Sequence, residues 1–146
     1  MPQSFGSLQN LVKMGLQGNA MTGSVPSSLG SVAGLEQCIL NGNYFGGTVP
    51  SSIGSIAQLK YMDWSRNELT GTLPPSLASI TGLSQMQLDL NEFTGNFPAA
   101  LALHGMDTIV EFSIGQNFMS GTLPPFGPAQ LLSFMDLSRN SLTGEL

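Results

Sequence analysis

The sequence predicts an α/β solenoid, in which short and similar coils stack along one axis. Asparagine recurs at intervals of 23 to 26 residues, a glycine follows each of these asparagines after four residues, and a proline follows the first five after seven. The recurring asparagines are Asn19, Asn43, Asn67, Asn91, Asn117 and Asn140. Self-similarity at a fixed period is typical of repeat proteins, in which each unit buries its apolar side only against its neighbours.

The asparagines divide a single domain into one half repeat, five full repeats and one partial repeat. Their ranges are 1–10, 11–34, 35–58, 59–82, 83–108, 109–131 and 132–146. The repeat at 83–108 is two residues longer than the standard unit, and we expect an extended helical return loop after Pro98 that contains His104. A second proline, Pro128, predicts a shortened helix in the next repeat.

The same local pattern occurs in each repeat. Apolar residues alternate over a short segment before the asparagine, and this period of two predicts a strand with one buried face. Because the asparagine lies where the chain leaves the strand, we expect its amide to satisfy backbone groups of its own coil and of the neighbouring coil. The glycine permits a backbone geometry that a side chain would obstruct, and the following Pro-Ser-Ser or Pro-Pro-Ser predicts a short helical turn capped by serine.

One repeat, LKYMDWSRNELTGTLPPSLASITG at 59–82, shows the frame LxxLxLxxNxLxGxxPxxLxxL that the others share. This frame resembles the plant-type leucine-rich repeat, and the resemblance covers essentially the whole chain. It implies a right-handed, curved superhelix with a parallel β-sheet on the concave face and short 3-10 or α turns on the convex side. Plant-type solenoids usually carry a cysteine-paired cap at the start, and this sequence has none. We therefore expect flanking repeats of a longer protein, or other subunits, to cover both ends.

Composition excludes several classes of function. Four Lys and Arg against nine Asp and Glu give a net charge of −5, so a basic surface that binds nucleic acid is not expected. One cysteine and one histidine leave no disulfide and no cage of cysteine or histidine ligands, so we expect neither a metal nor a cofactor. No apolar run is long enough to span a membrane, and from the first residues we expect neither a membrane span nor a signal peptide in this sequence.

The candidate binding site lies on the predicted concave surface. Outward side chains of successive strands fall into columns there, and we expect Tyr61 and Asp63 to point outward. The candidate ligand-binding residues are Tyr61, Asp63, Arg66, Gln85, Gln87, Asp89, Glu111, Phe134 and Asp136. Aromatic, carboxylate, amide and guanidinium groups together suit recognition of a peptide, a protein or a glycan.

The resemblance implies a non-catalytic recognition module in a cell-surface, receptor-like or secreted protein. The sequence lacks an Asn-x-Ser/Thr glycosylation site, which leaves an intracellular scaffold as an alternative. A second alternative is an ice-binding solenoid, because Thr and Ser flank the recurring glycine and would form two rows. The segments concerned are 22–24, 46–48, 70–72, 94–96, 120–122 and 143–145.

Catalytic groups are not indicated. Asp63 and Asp89 occupy different columns, and nothing in the sequence places either in an apolar pocket that would adapt it for glycoside hydrolysis. His104 has no matching nucleophile in phase with it. Cys38 and Trp64 occupy inward positions of the repeat, so we expect a buried thiol and a core indole.

Overall fold

The computed structural model describes residues 1–102, 106–127 and 129–144. Twelve strands lie in this part of the chain: β1 Lys13–Gly15, β2 Thr22–Ser24, β3 Gln37–Ile39, β4 Tyr44–Gly47, β5 Tyr61–Asp63, β6 Glu68–Gly71, β7 Gln85–Gln87, β8 Glu92–Gly95, β9 Glu111–Ser113, β10 Phe118–Thr122, β11 Phe134–Asp136 and β12 Ser141–Thr143. Four 3-10 helices lie on the opposite side: Gln3–Ser7 before β1, and Ser27–Ser31, Ser51–Ser55 and Pro75–Ser79 between strands.

The strands form two parallel sheets of six strands each. The odd-numbered strands pair in chain order in the concave sheet, and the even-numbered strands pair in the same way in a second sheet, the flank sheet. Every neighbour in a sheet therefore comes from the next coil, which is the stacking that the repeat predicts. The predicted α/β solenoid is confirmed. The flank sheet shows that the segments around the recurring glycine are extended.

The core runs the length of the solenoid between the two sheets and the helices. The middle residue of each concave strand from β1 to β9 points inward and is at most 5% exposed. Trp64 is completely buried, and its indole Nε1 donates a hydrogen bond to Cys38 Sγ at 3.3 Å. Burial raises the pKa of the Cys38 thiol to about 12, so the thiol stays protonated and unreactive. The predicted core positions of Cys38 and Trp64 are confirmed.

The recurring asparagines join each coil to the one before it. Asn67 Nδ2 donates hydrogen bonds to the backbone oxygens of Leu40 in the preceding coil and of Trp64 in its own coil, at 3.1 and 3.2 Å. Its Oδ1 accepts the backbone N–H of Phe45 at 3.0 Å. Asn43, Asn91, Asn117 and Asn140 make the equivalent bonds. This ladder confirms the expected role of the amides.

The convex side differs from one expectation. Three of the 3-10 helices begin after the proline of the repeat, and no side chain caps any of them. The serine instead joins neighbouring coils, because Ser52 Oγ donates to the backbone oxygen of Ser27 at 2.6 Å, and Ser28 and Ser76 make equivalent bonds. The predicted serine cap is therefore wrong. The N-cap position is occupied by proline, and the serine hydroxyl donates to a backbone oxygen of the preceding coil and makes no capping bond.

The helices also pack so closely that the fourth residue of a helix must be glycine where another helix follows it in the stack. A Cβ atom on Gly54 would overlap the backbone oxygen of Ser76 in the next coil, and Gly30 lies against Ser52 in the same way. The return loop after Pro98 is described as far as Ala102, which is buried and donates its N–H to the Pro98 oxygen at 3.1 Å. His104 and Pro128 lie outside the described residues.

Candidate ligand-binding face of the concave sheet

The concave sheet places the candidate residues of successive coils side by side. Their strands pair in exact register, so the outward positions form two columns separated by the buried middle residues. The first column contains Tyr61, Gln85, Glu111 and Phe134, and the second contains Asp63, Gln87, Ser113 and Asp136. The side chains available to a ligand therefore follow the solenoid axis, one coil after another.

The first column is polar with an aromatic at each end. Tyr61, Gln85 and Glu111 are half-buried, whereas the Phe134 side chain is 54% exposed. Partial burial and the negative charges of Asp63 and Glu111 raise the pKa of Tyr61 above its ordinary value. The Tyr61 hydroxyl therefore remains a hydrogen-bond donor at neutral and moderately alkaline pH.

Asp63 is less accessible than its outward position in the strand predicts. It is only 6% exposed, and its Oδ1 accepts hydrogen bonds from the Ser65 backbone N–H at 3.1 Å and from the Ser65 hydroxyl at 2.7 Å. Asp136 Oδ1 accepts the Ser138 backbone N–H at 2.8 Å in the same arrangement. The Asp-x-Ser sequence that both coils share could have revealed this turn. Asp63 is therefore occupied in holding the chain as it leaves β5.

The residues just beyond these turns have a left-handed backbone. Arg66, Leu90, Gln116 and Arg139 have φ angles between 53° and 55°, although none is glycine. The backbone N–H groups of the first three donate to the next coil, as in the bond from Arg66 N to the Asp89 oxygen at 2.8 Å. This fixed conformation costs roughly 1–2 kcal/mol per residue. The signal that was missed is that Gly18 and Gly42 occupy the same position in earlier coils, also with positive φ.

Two carboxyl groups of this face have opposite pKa shifts. Asp89 Oδ1 is buried and has no hydrogen-bond partner among the described residues. This burial is the main cause that raises the pKa of Asp89, and the nearby charges of Asp136 and Asp63 raise it further. Hydrogen bonds from the side chain and backbone of Ser138 lower the pKa of Asp136, and the Arg139 charge adds to that effect. Asp136 is therefore the better permanent anion of the two.

An open groove with a volume of about 310 Å³ crosses four coils on this face. It is lined by Arg66, Gln87, Asp89, Leu90, Ser113, Gln116, Phe134 and Asp136. Five candidate residues thus come together around one cavity. Tyr61, Asp63, Gln85 and Glu111 belong to the same two columns but do not line it. Leu90, Ser113 and Gln116 were not selected as site residues from the sequence, although they share columns with residues that were.

Two further structural findings bear on possible functions. Within the described residues, no group of three or more His, Cys, Asp or Glu side chains is arranged to hold a metal ion. In the same part of the chain, no helix is both long and apolar enough to cross a membrane.

Comparisons with known proteins give the family. The Leucine Rich Repeat family profile matches residues 58–80. None of the curated protein sequences compared with the chain matches it. The chain is similar over its whole length to the leucine-rich-repeat ectodomain of the Arabidopsis thaliana receptor kinase GASSHO1/SCHENGEN3, with 31% identity and a TM-score of 0.93. It is also similar over its whole length to a TDR receptor, with 31% identity and a TM-score of 0.96. The chain is a leucine-rich-repeat protein of the plant type.

A third similar structure is the plant peptide hormone receptor RGFR1 in complex with RGF2, with 27% identity over the whole of this chain and a TM-score of 0.93. The GASSHO1/SCHENGEN3 ectodomain is likewise in complex with CASPARIAN STRIP INTEGRITY FACTOR 2. This leucine-rich-repeat chain spans 17%, 25% and 23% of the GASSHO1/SCHENGEN3, TDR and RGFR1 chains respectively.

Proposed function

We propose that this leucine-rich-repeat chain is a non-catalytic recognition module that binds an extended peptide or protein segment along its concave face. The observation that carries the proposal is the groove, to which four successive coils each contribute outward side chains. Four coils span about 14 Å, since strands in a sheet lie about 4.8 Å apart. That length matches about four residues of extended peptide at about 3.3 Å per residue.

The chemistry of the groove suits a peptide. The amides of Gln87 and Gln116 can each donate to a peptide carbonyl and accept from a peptide N–H. The exposed Phe134 ring offers apolar contact area, and Arg66 and Asp136 offer charged hydrogen-bonding groups. Similar structures were determined as complexes of peptide hormone receptors, which supports a peptide over a glycan.

We also propose that the module works outside the cell, in a receptor-like or secreted protein. The support is that the similar structures include ectodomains of plant receptor kinases. An intracellular scaffold would predict that the chain is retained in the cytoplasm. Expression of the full-length protein with a fluorescent tag, followed by protease treatment of intact cells, separates the two locations.

Peptide display tests the binding proposal. Selection from a library of random peptides should yield binders of the wild-type chain, and Gln87→Trp should weaken their binding at least tenfold because the indole fills the groove. Gln58→Trp is the matched control, since Gln58 is exposed in a turn away from the concave sheet, and it should leave binding unchanged. Equal binding to both variants would contradict the proposal, as would a selection that gives no peptide binder while the chain binds glycans on an array.

The flank sheet supports ice binding as a second candidate. This sheet is continuous across all six coils. Exposed Thr side chains such as Thr48 and Thr72 lie against the glycines of the next coil. Such contacts hold a threonine row in fixed positions. Thermal hysteresis that is present in the wild type and lost in the double variant Thr48→Lys, Thr72→Lys would support this candidate. Absence of hysteresis at millimolar protein would exclude it.

A further inference from the structure

The groove carries negative charge that the protein itself does not pair. Two carboxylates line it, those of Asp89 and Asp136, against one guanidinium group, that of Arg66. Among the residues that the structure describes, the only ion pair joins Lys60 to Glu36 at 3.1 Å, outside the groove. The local excess of carboxylates over guanidinium groups is therefore available to a ligand.

We propose that the groove holds a positively charged side chain of the bound peptide, an arginine or a lysine, between the Phe134 ring and the Asp136 carboxylate. This inference rests on the proposed peptide-binding function and specifies the ligand of that site. A cation over the face of an exposed aromatic ring is attracted by the ring electrons, and a carboxylate beside it supplies a charged hydrogen-bond acceptor.

Ser138 and Gly115 position the Asp136 carboxylate for this contact. Ser138 holds one carboxylate oxygen of Asp136, and the other lies over Gly115, where a Cβ atom would come within 2.8 Å of it. A larger residue than glycine at 115 would therefore displace the carboxylate from the groove. The low pKa of Asp136 keeps it charged at neutral and mildly acidic pH.

Asp89 acts at longer range. Its Oδ1 is enclosed and has no hydrogen-bond partner among the described residues, so burial disfavours the charged form in the free protein. A cation in the groove stabilises that charge through space, because burial weakens solvent screening. Gln87 and Gln116 lie in the same groove, and their side-chain oxygens can accept further N–H bonds from a guanidinium.

A pair of small probes tests the charge requirement directly. N-acetyl-arginine N-methylamide and its citrulline counterpart have nearly the same shape, and only the first is charged. In NMR titrations of the 146-residue chain, the arginine probe should shift the amide signals of Ser113 and Gln116 and bind about tenfold more tightly than the citrulline probe at low salt. Asp136→Asn should reduce this preference to twofold or less, since it keeps an oxygen for Ser138 and removes the charge. Asp107→Asn, in an exposed turn outside the groove, should leave the preference unchanged.

The outcomes separate the inference from the function on which it rests. Display-selected peptides that bind in the groove without a basic residue, or that bind equally well after arginine is replaced by citrulline, would overturn the inference and leave peptide binding intact. Equal binding of the two small probes would also overturn it. If neither the probes nor any peptide binds, both proposals fail.

Discussion

Replacing Asn67 with alanine tests the asparagine ladder at the centre of the solenoid. The side chain makes four hydrogen bonds, three as donor and one as acceptor. After Asn67→Ala, the Leu40 and Trp64 oxygens each keep another asparagine amide as a donor. The backbone N–H of Phe45 has no replacement partner and is buried.

The expected cost follows from this difference. An orphaned buried N–H costs about 1–3 kcal/mol, and the two amide hydrogens, which are shared among three acceptors, add about 1 kcal/mol each. Asn67→Ala should therefore lower the free energy of unfolding by about 3–5 kcal/mol. Asn19→Ala is the matched control, because Asn19 is exposed and donates only to Leu16 and Gln17 of its own coil. Its cost should stay below about 1 kcal/mol.

Urea denaturation followed by circular dichroism measures both variants. The midpoint should fall far more for the Asn67 variant than for the Asn19 variant, provided that the slope of the transition stays constant. Because folded domains are stable by only about 5–15 kcal/mol, the larger loss should be easy to detect. Equal losses for the two variants would refute the claim that the ladder joins neighbouring coils.

Three further predictions concern packing, reactivity and pH. Gly54→Ala should cost about 2–3 kcal/mol in a urea titration, because its Cβ would overlap Ser76, whereas a Cβ on Gly82 would meet nothing closer than 3.8 Å and Gly82→Ala should be nearly neutral. Cys38 should not react with a thiol reagent until the chain is unfolded by urea; rapid labelling of the native protein would contradict its burial. The pKa of Asp89 is higher in the folded chain than the ordinary 3.8, so native stability should fall as pH rises through the window above 3.8. Asp89→Asn should therefore be more stable than wild type at pH 7 and should lose that advantage near pH 3.8, and a constant difference across pH would contradict this.

The sequence predicts the position of a residue within its coil much better than the solvent exposure of its side chain. The phase of the repeat assigned the asparagines and the columns of Tyr61 and Gln87 correctly, because stacking in register gives every repeat the same local geometry. Exposure depends on contacts that do not repeat. Asp63 was expected to be available to a ligand, but its carboxylate is engaged by hydrogen bonds from Ser65.

The groove was equally hard to locate from sequence. Its lining depends on Gly115, which leaves room for the Asp136 carboxylate, and on the left-handed backbone at Gln116. A single repeat does not reveal either feature from its residue types. Gln116, for example, has a left-handed backbone at a position where earlier coils have glycine. Comparison of equivalent positions along the chain could have revealed the backbone, but the cavity arises only from the combination of four coils.

Amide chemical-shift mapping with a display-selected peptide tests the central claim most directly. The account predicts that the largest changes occur in β7, β9 and β11 and in the turns that follow them, where the groove lies. Largest changes in the flank strands β4, β6, β8 and β10, with the concave strands unaffected, would contradict it.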